Sequence, residues 1–153
     1  MFGIRSDEKR IKTIDPFMKI TPHIMVERSD AQVMSLYEIN CKKMDEYIFK
    51  KRHEDNLRFN YMNILMAAFV RVYALRPGIN RFIMNGRVFK RNNIQISFAV
   101  KKQLLDTAEE TTIKMTFTGK ENIFDVKEMM DQVIAQNTTR SAYNETDKLA
   151  KIL

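Results

Sequence analysis

Residues 76–102 read RPGINRFIMNGRVFKRNNIQISFAVKK, and this stretch sets the interpretation of the whole chain. It contains seven Lys and Arg residues and no Asp or Glu. The complete chain has 26 basic and 19 acidic residues, so its formal net charge of +7 arises within this stretch alone. Such a concentration of charge has two interpretations: the solvated side of a sheet, or a surface for a phosphate-bearing molecule, an acidic protein or a nucleic-acid backbone.

The same stretch predicts a helix end, a hairpin and a further strand. Arg76-Pro77-Gly78 ends the preceding helix, since Pro cannot continue it and Gly tolerates the turn. Asn85-Gly86 joins strands at residues 81–84 and 87–91, because both central positions of a type I′ turn need positive φ. The next strand alternates, with these apolar residues on one face: Ile94, Ile96, Phe98 and Val100.

The upstream residues predict a short helix, a strand and a charged helix. Asp15 is suited to cap a helix that starts at Pro16, although Pro22 disturbs its end. Residues 32–40 alternate in side-chain character, as a strand does. Residues 43–54 predict a helix that buries Met44, Tyr47 and Ile48.

Two apolar helices and another strand complete the predicted fold. Residues 60–75 form the most apolar helix, whose predicted buried face is Met62, Leu65, Met66, Phe69, Val72 and Tyr73. A strand follows from Thr111, with Ile113, Met115 and Phe117 inward. Asn122 caps the last helix with Asp125 as its partner. The apolar stripe of this helix is Ile123, Val126, Met129, Met130, Val133 and Ile134.

This element order predicts an α+β fold with a mixed, largely antiparallel sheet and helices packed on it. The 153 residues are expected to form one domain, with residues 1–13 loosely ordered, 14–136 as the core and 137–153 as a polar C-terminal segment. No signal peptide is expected, and the longest apolar run, residues 64–70, is too short to span a membrane. A single cysteine, Cys41, favours a reducing compartment, and the predicted location is cytoplasmic.

Candidate catalytic residues are few. Glycine-rich phosphate loops, a nucleophile elbow and metal-ligand spacings of Cys or His are absent, so no metal site is predicted. His53 fits a solvated helix end, and His23 is favoured as structural or surface, with an enzyme built around it as a minor hypothesis. Cys41 is interpreted as a buried or incidental thiol. Basic and aromatic residues interleave at Phe82 and Phe89, which is a weak nucleic-acid signal.

The helix at 60–75 followed by the NRFI…NG…ISFAVKK pattern resembles the catalytic domain of the chloramphenicol acetyltransferase and dihydrolipoyl acyltransferase family, including acyltransferase components of 2-oxoacid dehydrogenases. The order of elements resembles that family from about Asp15 to Gln136. The resemblance implies a partial chloramphenicol acetyltransferase-like fold, acyl transfer involving coenzyme A or dihydrolipoamide, and a site between subunits of a trimer.

The family's general base lies in a His-x-x-x-Asp-Gly motif, and a Ser or Thr stabilises its tetrahedral intermediate. The present chain has no such motif, and its last histidine is His53. The resemblance therefore assigns no catalytic residue and no cofactor-binding residue. The expected function is that of an acyltransferase-like protein, catalytically incomplete alone.

Three explanations fit this incompleteness: a truncated product, one half of a split protein that needs a complementary C-terminal half, or a non-catalytic descendant. Each predicts an exposed apolar surface and self-association. The alternative function is a binding or assembly module whose basic segment 76–102 contacts an acidic partner or nucleic acid.

Overall fold

The computed structural model describes residues 6–27, 29–103, 105–106, 108 and 110–138. Helices and strands alternate irregularly along this part of the chain. Short 3₁₀ turns lie at Ser29–Ala31 and Pro77–Ile79. In chain order the elements are β1 (Glu8–Arg10), α1 (Pro16–Ile24), α2 (Lys42–Glu54), α3 (Tyr61–Leu75), β2 (Arg81–Met84), β3 (Arg87–Arg91), β4 (Ile94–Lys101), β5 (Glu110–Phe117) and α4 (Ile123–Thr138).

The predicted hairpin forms as β2 and β3. Asn85 and Gly86 have φ values of 51° and 66°, so both central residues of the turn adopt the left-handed conformation that the Asn-Gly pair favours. β1 pairs with the other side of β3, giving a three-stranded antiparallel sheet in the order β1-β3-β2. The expectation that all of residues 1–13 are loosely ordered is therefore wrong for β1, because β3 provides it with a hydrogen-bonding partner.

The second sheet is the antiparallel pair β4-β5, in which Ile94 lies opposite Phe117 and Lys101 opposite Glu110. β5 alternates strictly between exposed and buried residues, as predicted for Ile113, Met115 and Phe117. All strand pairs within the described residues are antiparallel. The α+β class is confirmed, but the predicted mixed sheet is two separate antiparallel sheets.

The main core lies where α3 and α4 pack on the β4-β5 sheet. Phe117, Val126 and Met130 have no exposed surface, and Val70 is 1% exposed. The predicted capping box of α4 is present, because the side chain of Asn122 accepts the N–H of Asp125 at 3.1 Å and the Asp125 carboxylate accepts the N–H of Asn122 at 2.9 Å. Among the described residues, the buried cluster is Met66, Val70, Ile94, Ile113, Met115, Phe117, Val126 and Met130.

The predicted buried face of α3 is wrong in part. Met66 is buried and Tyr73 is half-buried, as expected. Four other members of that face are between 40% and 53% exposed: Met62, Leu65, Phe69 and Val72. An almost wholly apolar helix does not specify by periodicity which of its sides meets the core, and here the side that includes Asn63 and Val70 does so.

Asn63 is a buried polar residue of α3 that the apolar pattern did not identify. Asn60 and Asn63 cap the start of α3 reciprocally: each side-chain oxygen accepts the backbone N–H of the other residue, at 2.8 and 2.9 Å. The amide of Asn63 also donates to the sulfur of Met130 at 3.6 Å. These contacts explain how a polar side chain that is 1% exposed is accommodated in the core.

The strand predicted at residues 32–40 does not form. No residue of this segment belongs to a strand or helix, and all nine are exposed. The pattern is compatible with a strand, but the described residues provide no neighbouring strand to pair with it, and a strand needs such a partner.

The helices at 16–24 and 42–54 form close to their predicted positions. Asp15 caps α1 by accepting the N–H of Phe17 at 2.8 Å, and the helix continues past Pro22 to Ile24. None of its residues is buried, so Phe17 and the other apolar residues of α1 lie outside the core. In α2, Met44, Tyr47 and Ile48 are half-buried, slightly less than predicted.

The last helix extends past the predicted start of the C-terminal segment. Asn137 and Thr138 belong to α4 rather than to a separate polar segment. Residues 139–153 lie outside the described residues. Within the described part of the chain, none of the helices has the length and apolarity needed to cross a membrane.

Candidate anion-binding site

A basic pocket lies where α1, the residues after β1 and the β2-β3 turn meet. Its volume is about 410 Å³, within the range of small-molecule sites. Among the described residues, four cationic side chains and no acidic residue line it. The described residues that line it are Arg10, Ile11, Lys12, Ile14, Lys19, His23, Gly86, Arg87 and Val88. We call this the basic pocket.

Three separate chain segments position the charges of the basic pocket. The antiparallel pairing of β1 with β3 continues past Arg10, because Ile11 donates its N–H to the carbonyl of Val88 at 3.0 Å. This bond holds Arg10 and Lys12 beside the start of β3, next to the hairpin turn. Lys19 comes from the capped helix α1, and Arg87 follows the type I′ turn.

His23 contacts the hairpin turn at the edge of the basic pocket. A Cβ on Gly86 would lie 3.2 Å from Cε1 of His23, which is closer than an ordinary side-chain contact. Gly86 therefore serves two purposes, since it supplies the positive φ of the turn and leaves room for the imidazole. Within the described residues, neither ring nitrogen of His23 has a hydrogen-bond partner. A general base needs an orienting partner, so the geometry favours His23 as part of the pocket wall.

An apolar groove of about 230 Å³ adjoins the basic pocket. The two cavities share Ile14 and Val88. Apolar side chains dominate the groove, whose lining is Ile14, Met18, Thr21, Gly78, Arg81, Phe82, Ile83 and Val88. The paired cavities suit a molecule with an anionic end and a less polar extension.

A row of three cations crosses the three-stranded sheet. Lys90 of β3 lies directly opposite Lys9 of β1 on one side and Arg81 of β2 on the other. Directly opposite residues of an antiparallel sheet point to the same face, and like charges in that arrangement are destabilising. No described carboxylate forms a salt bridge with these three residues. An anion that binds this face would relieve their repulsion.

The other face of the same sheet is occupied by aromatic residues and an ion pair. The rings of Phe82 and Phe89 stack with centroids 5.7 Å apart, and the guanidinium of Arg91 lies 4.8 Å from the Phe82 centroid. Arg91 also donates to the carboxylate of Asp7 at 3.1 Å. Phe89 is 7% exposed, so its ring is packed within the protein rather than offered for base stacking.

The other candidate residues lie elsewhere. His53 is exposed at the end of α2, stacks on Phe49 with centroids 3.9 Å apart, and has Nδ1 2.9 Å from the Phe49 carbonyl oxygen. This confirms its interpretation as a solvated helix-end residue. Cys41 is exposed, so its thiol is not buried; its Sγ lies 3.6 Å from the Ile39 carbonyl oxygen. The described residues contain no group of three His, Cys, Asp or Glu side chains arranged to hold a metal ion.

Sequence reasoning identified part of the basic pocket. The basic block 76–102 contributes Arg87, and His23 was considered as a separate candidate. Arg10, Lys12 and Lys19 were not identified, because the N-terminal segment had no predicted partner to bring them to the hairpin. β1 is only three residues long, which is too short for its sequence pattern to predict a strand.

Known proteins give no guide to this site. No family model, no curated protein and no solved structure matches the chain.

Proposed function

We propose that this chain is an acyltransferase-like protein of partial chloramphenicol acetyltransferase-like fold that binds coenzyme A through the basic pocket. The observation that carries the proposal is the junction of the basic pocket with the apolar groove, which share Ile14 and Val88. Alone, the chain is proposed to be catalytically incomplete, since it has no His-x-x-x-Asp-Gly motif. A trimeric state or a complementary C-terminal half, and a cytoplasmic location, belong to the same proposal.

The chemistry of coenzyme A matches the two cavities. Its phosphorylated nucleotide end carries several negative charges, which guanidinium and ammonium groups bind by charge-assisted hydrogen bonds. Its pantetheine arm is narrow and much less charged, which suits the groove lined by Met18 and Ile83. Dihydrolipoamide has no phosphate, so the four cations of the basic pocket favour coenzyme A as the ligand.

The proposed role of this chain is to hold the carrier rather than to move its thiol proton. Arg10, Lys12, Lys19 and Arg87 would bind phosphate oxygens. His23 would add a further nitrogen donor or a flat wall at the turn. A general base contributes on the order of 10²–10⁴ to a rate, and the resemblance would place it in the part of the family domain that is not matched here.

Calorimetric titration of the full chain tests the proposal with three related ligands. Coenzyme A should bind more tightly than dephospho-coenzyme A, which has one phosphate fewer, and pantetheine without phosphate should bind most weakly. Raising the salt concentration should weaken binding of coenzyme A most, because salt screens exposed charges.

Matched lysine variants identify the site. Lys19→Gln removes a charge from the basic pocket and is expected to weaken coenzyme A binding about three- to tenfold. Lys43→Gln removes an exposed charge of the same type from α2, outside the pocket, and should leave the affinity unchanged. Equal affinity for coenzyme A and pantetheine, or equal effects of the two substitutions, would contradict the proposal.

A second candidate function is binding of an acidic partner or a nucleic acid, and the Lys9–Lys90–Arg81 row favours it. Filter binding of a labelled single-stranded oligonucleotide, repeated over a range of salt concentrations, tests this function. Phosphate contacts predict that affinity falls steeply with salt. Lys90→Gln should reduce affinity, whereas Lys120→Gln, in the turn after β5, should not. Binding that is absent or insensitive to salt would rule out the nucleic-acid version.

A further inference from the structure

Residues 32–40 form an exposed apolar segment, which we call the arm. Five of its apolar side chains are from 65% to 93% exposed: Val33, Met34, Leu36, Tyr37 and Ile39. Single exposed apolar residues are normal on protein surfaces. Five within seven positions are a local concentration of exposed apolar side chains, and exposed apolar surface of this kind marks sites where another surface binds.

The arm has the properties of an unpaired strand. Its odd positions are mostly apolar, and Val33, Tyr37 and Ile39 among them are residue types that strands favour, while Met34 and Leu36 would lie on the opposite face. Local hydrogen bonds close both ends: the N–H of Gln32 bonds to the Ser29 carbonyl at 3.3 Å, and the side chain of Asn40 accepts the N–H of Lys42 at 3.0 Å. Between these ends, residues 33–38 make no hydrogen bond with other described residues. Their backbone donors and acceptors are available to a partner.

The β4-β5 sheet offers a matching edge. Each of these strands has one hydrogen-bonded neighbour among the described residues, so each has an open side. Both strands are eight residues long and the arm has nine, whereas β1 and β2 have three and four. An open edge of this length is a template for an added strand.

Burial and charge select β4 over β5. The inward residues of β5 are from 0% to 2% exposed, whereas Ile96, Phe98 and Val100 of β4 are only partly buried, so apolar surface remains uncovered on the β4 side. β4 also lies inside the stretch 76–102 that contains no acidic residue, and β5 begins with Glu110. The arm and its flank, residues 27–40, carry three acidic residues and one basic residue.

We propose that the arm of one molecule adds as a third strand to the open edge of β4 in a second copy of this chain. The same molecule carries both the donor strand and the acceptor edge, so two copies can exchange arms and close a symmetric dimer, an assembly different from the trimer that the resemblance implies. Apolar side chains of the arm would then extend the inward row of β4, and the acidic flank would lie near a basic region.

Proline substitution tests the arm without disturbing the folded domain. In a strand, the backbone N–H groups of successive residues point to opposite sides, so either Ser35 or Leu36 donates to a strand on a given side. The double substitution Ser35→Pro/Leu36→Pro therefore removes that donor whichever of the two residues supplies it. The arm makes no described contact with the core, so the circular dichroism spectrum and melting temperature should be unchanged in dilute protein. Sedimentation equilibrium should show that the wild type reaches the mass of two chains, and that the proline pair weakens dimerisation about tenfold or more. Leu36→Ile retains both the N–H and the apolar side chain and should dimerise as the wild type does.

Disulfide trapping identifies the edge. Both partners carry Cys41→Ser, so that the native thiol is absent. One partner also carries Ser35→Cys in the arm, and the other carries Ser97→Cys in the middle of β4. Oxidation of the mixture should give a covalent heterodimer. Thr116→Cys on β5 is the matched control, because a strand beside β4 is about 10 Å from β5, too far for a disulfide.

Three results would overturn the proposal. The first is a monomer at all protein concentrations. The second is a dimer that the proline pair does not weaken, which would place the contact elsewhere, for example on the exposed side of α3. The third is trapping of Ser35→Cys by Thr116→Cys in preference to Ser97→Cys, which would exclude β4 as the acceptor.

Discussion

β5 and the arm are both predicted from the sequence to be strands, and they have opposite environments. Both are eight or nine residues long, but β5 alternates exposed and buried residues strictly, whereas the arm has apolar residues at both odd and even positions. β5 is paired with β4 along its whole length, and its inward residues are almost wholly buried. No described strand pairs with the arm and no described helix covers it, and Leu36 is 93% exposed.

The difference shows what converts a strand pattern into a strand. β5 follows β4 after a short connection, so pairing closes a small loop at a modest loss of chain entropy. α3 and α4 then cover the inward face of the pair. Apolar alternation makes a segment suitable for a sheet, but backbone hydrogen bonds and a covering layer are needed before its burial stabilises the protein.

The largest expected difference in stability between the two regions comes from removing one aromatic side chain in each. Phe117→Ala leaves a cavity at a side chain with no exposed surface and should lower the free energy of unfolding by about 3–5 kcal/mol. Tyr37→Ala, in the arm at 80% exposure, should change it by less than about 0.5 kcal/mol. Urea unfolding of dilute protein, followed by circular dichroism, measures both. A large loss in Tyr37→Ala would mean that the arm is packed against its own molecule.

An intermediate effect is expected at the turn where β5 ends. Gly119 has φ +87°, and a Cβ there would lie 3.1 Å from the Cβ of Ala74 and 3.3 Å from Cδ1 of Ile94. Gly119→Ala should therefore lower the free energy of unfolding by about 1–3 kcal/mol. Gly78→Ala is the matched control, because a Cβ at Gly78 has no neighbour within 4 Å and should change stability by about 0.5 kcal/mol at most. Equal losses in thermal unfolding of the two variants would show that Gly119 does not make this close approach in solution.

The smallest expected effect is the pH response of the same turn. Partial burial raises the pKa of the Glu121 carboxyl, but hydrogen bonds from the N–H groups of Thr118 and Gly119 and the Thr118 hydroxyl lower it overall, below its ordinary value of 4.5. A carboxyl whose pKa is lower in the folded state stabilises the protein above the unfolded pKa, and this contribution is lost as the pH falls through the folded pKa.

Melting temperatures of Glu121→Gln and wild type, measured from neutral pH down to about pH 3, test this response. The advantage of the wild type over Glu121→Gln should be present above pH 4.5 and should shrink below it. Thr118→Val removes one hydrogen-bond donor and should reduce the wild-type advantage in part. A difference between wild type and Glu121→Gln that does not depend on pH would contradict the assignment.

Much of the fold was predictable where a local signal has one physical meaning. Asn85-Gly86 predicted its turn because few residue pairs tolerate two positive φ values. Asp15, Asn122 and Asp125 predicted helix starts because their side chains satisfy free N–H groups. The inward residues of β5 were predicted because polar residues on one face of the strand leave only the other face for the core.

The signals that failed were those with more than one physical meaning. α3 is apolar on nearly all sides, so its pattern did not show which side faces the core. Val70 and Asn63 face the core, and Phe69, which was predicted to be buried, is exposed. Residues 32–40 contain residue types that strands favour, but no strand among the described residues pairs with them. The candidate site was predictable only in part, since the basic block was visible and the N-terminal cations that complete the pocket were not.

The sequence by itself determined the α+β class, the positions of the hairpin and most helices, and the concentration of positive charge in residues 76–102. These properties depend on interactions between residues a few positions apart. The tertiary structure alone decided that β1 joins the hairpin, that Arg10 and Lys19 meet Arg87 beside His23, and that the arm stays exposed. These outcomes depend on which distant segments find hydrogen-bonding partners and apolar cover, and local spacing carries no information about that choice.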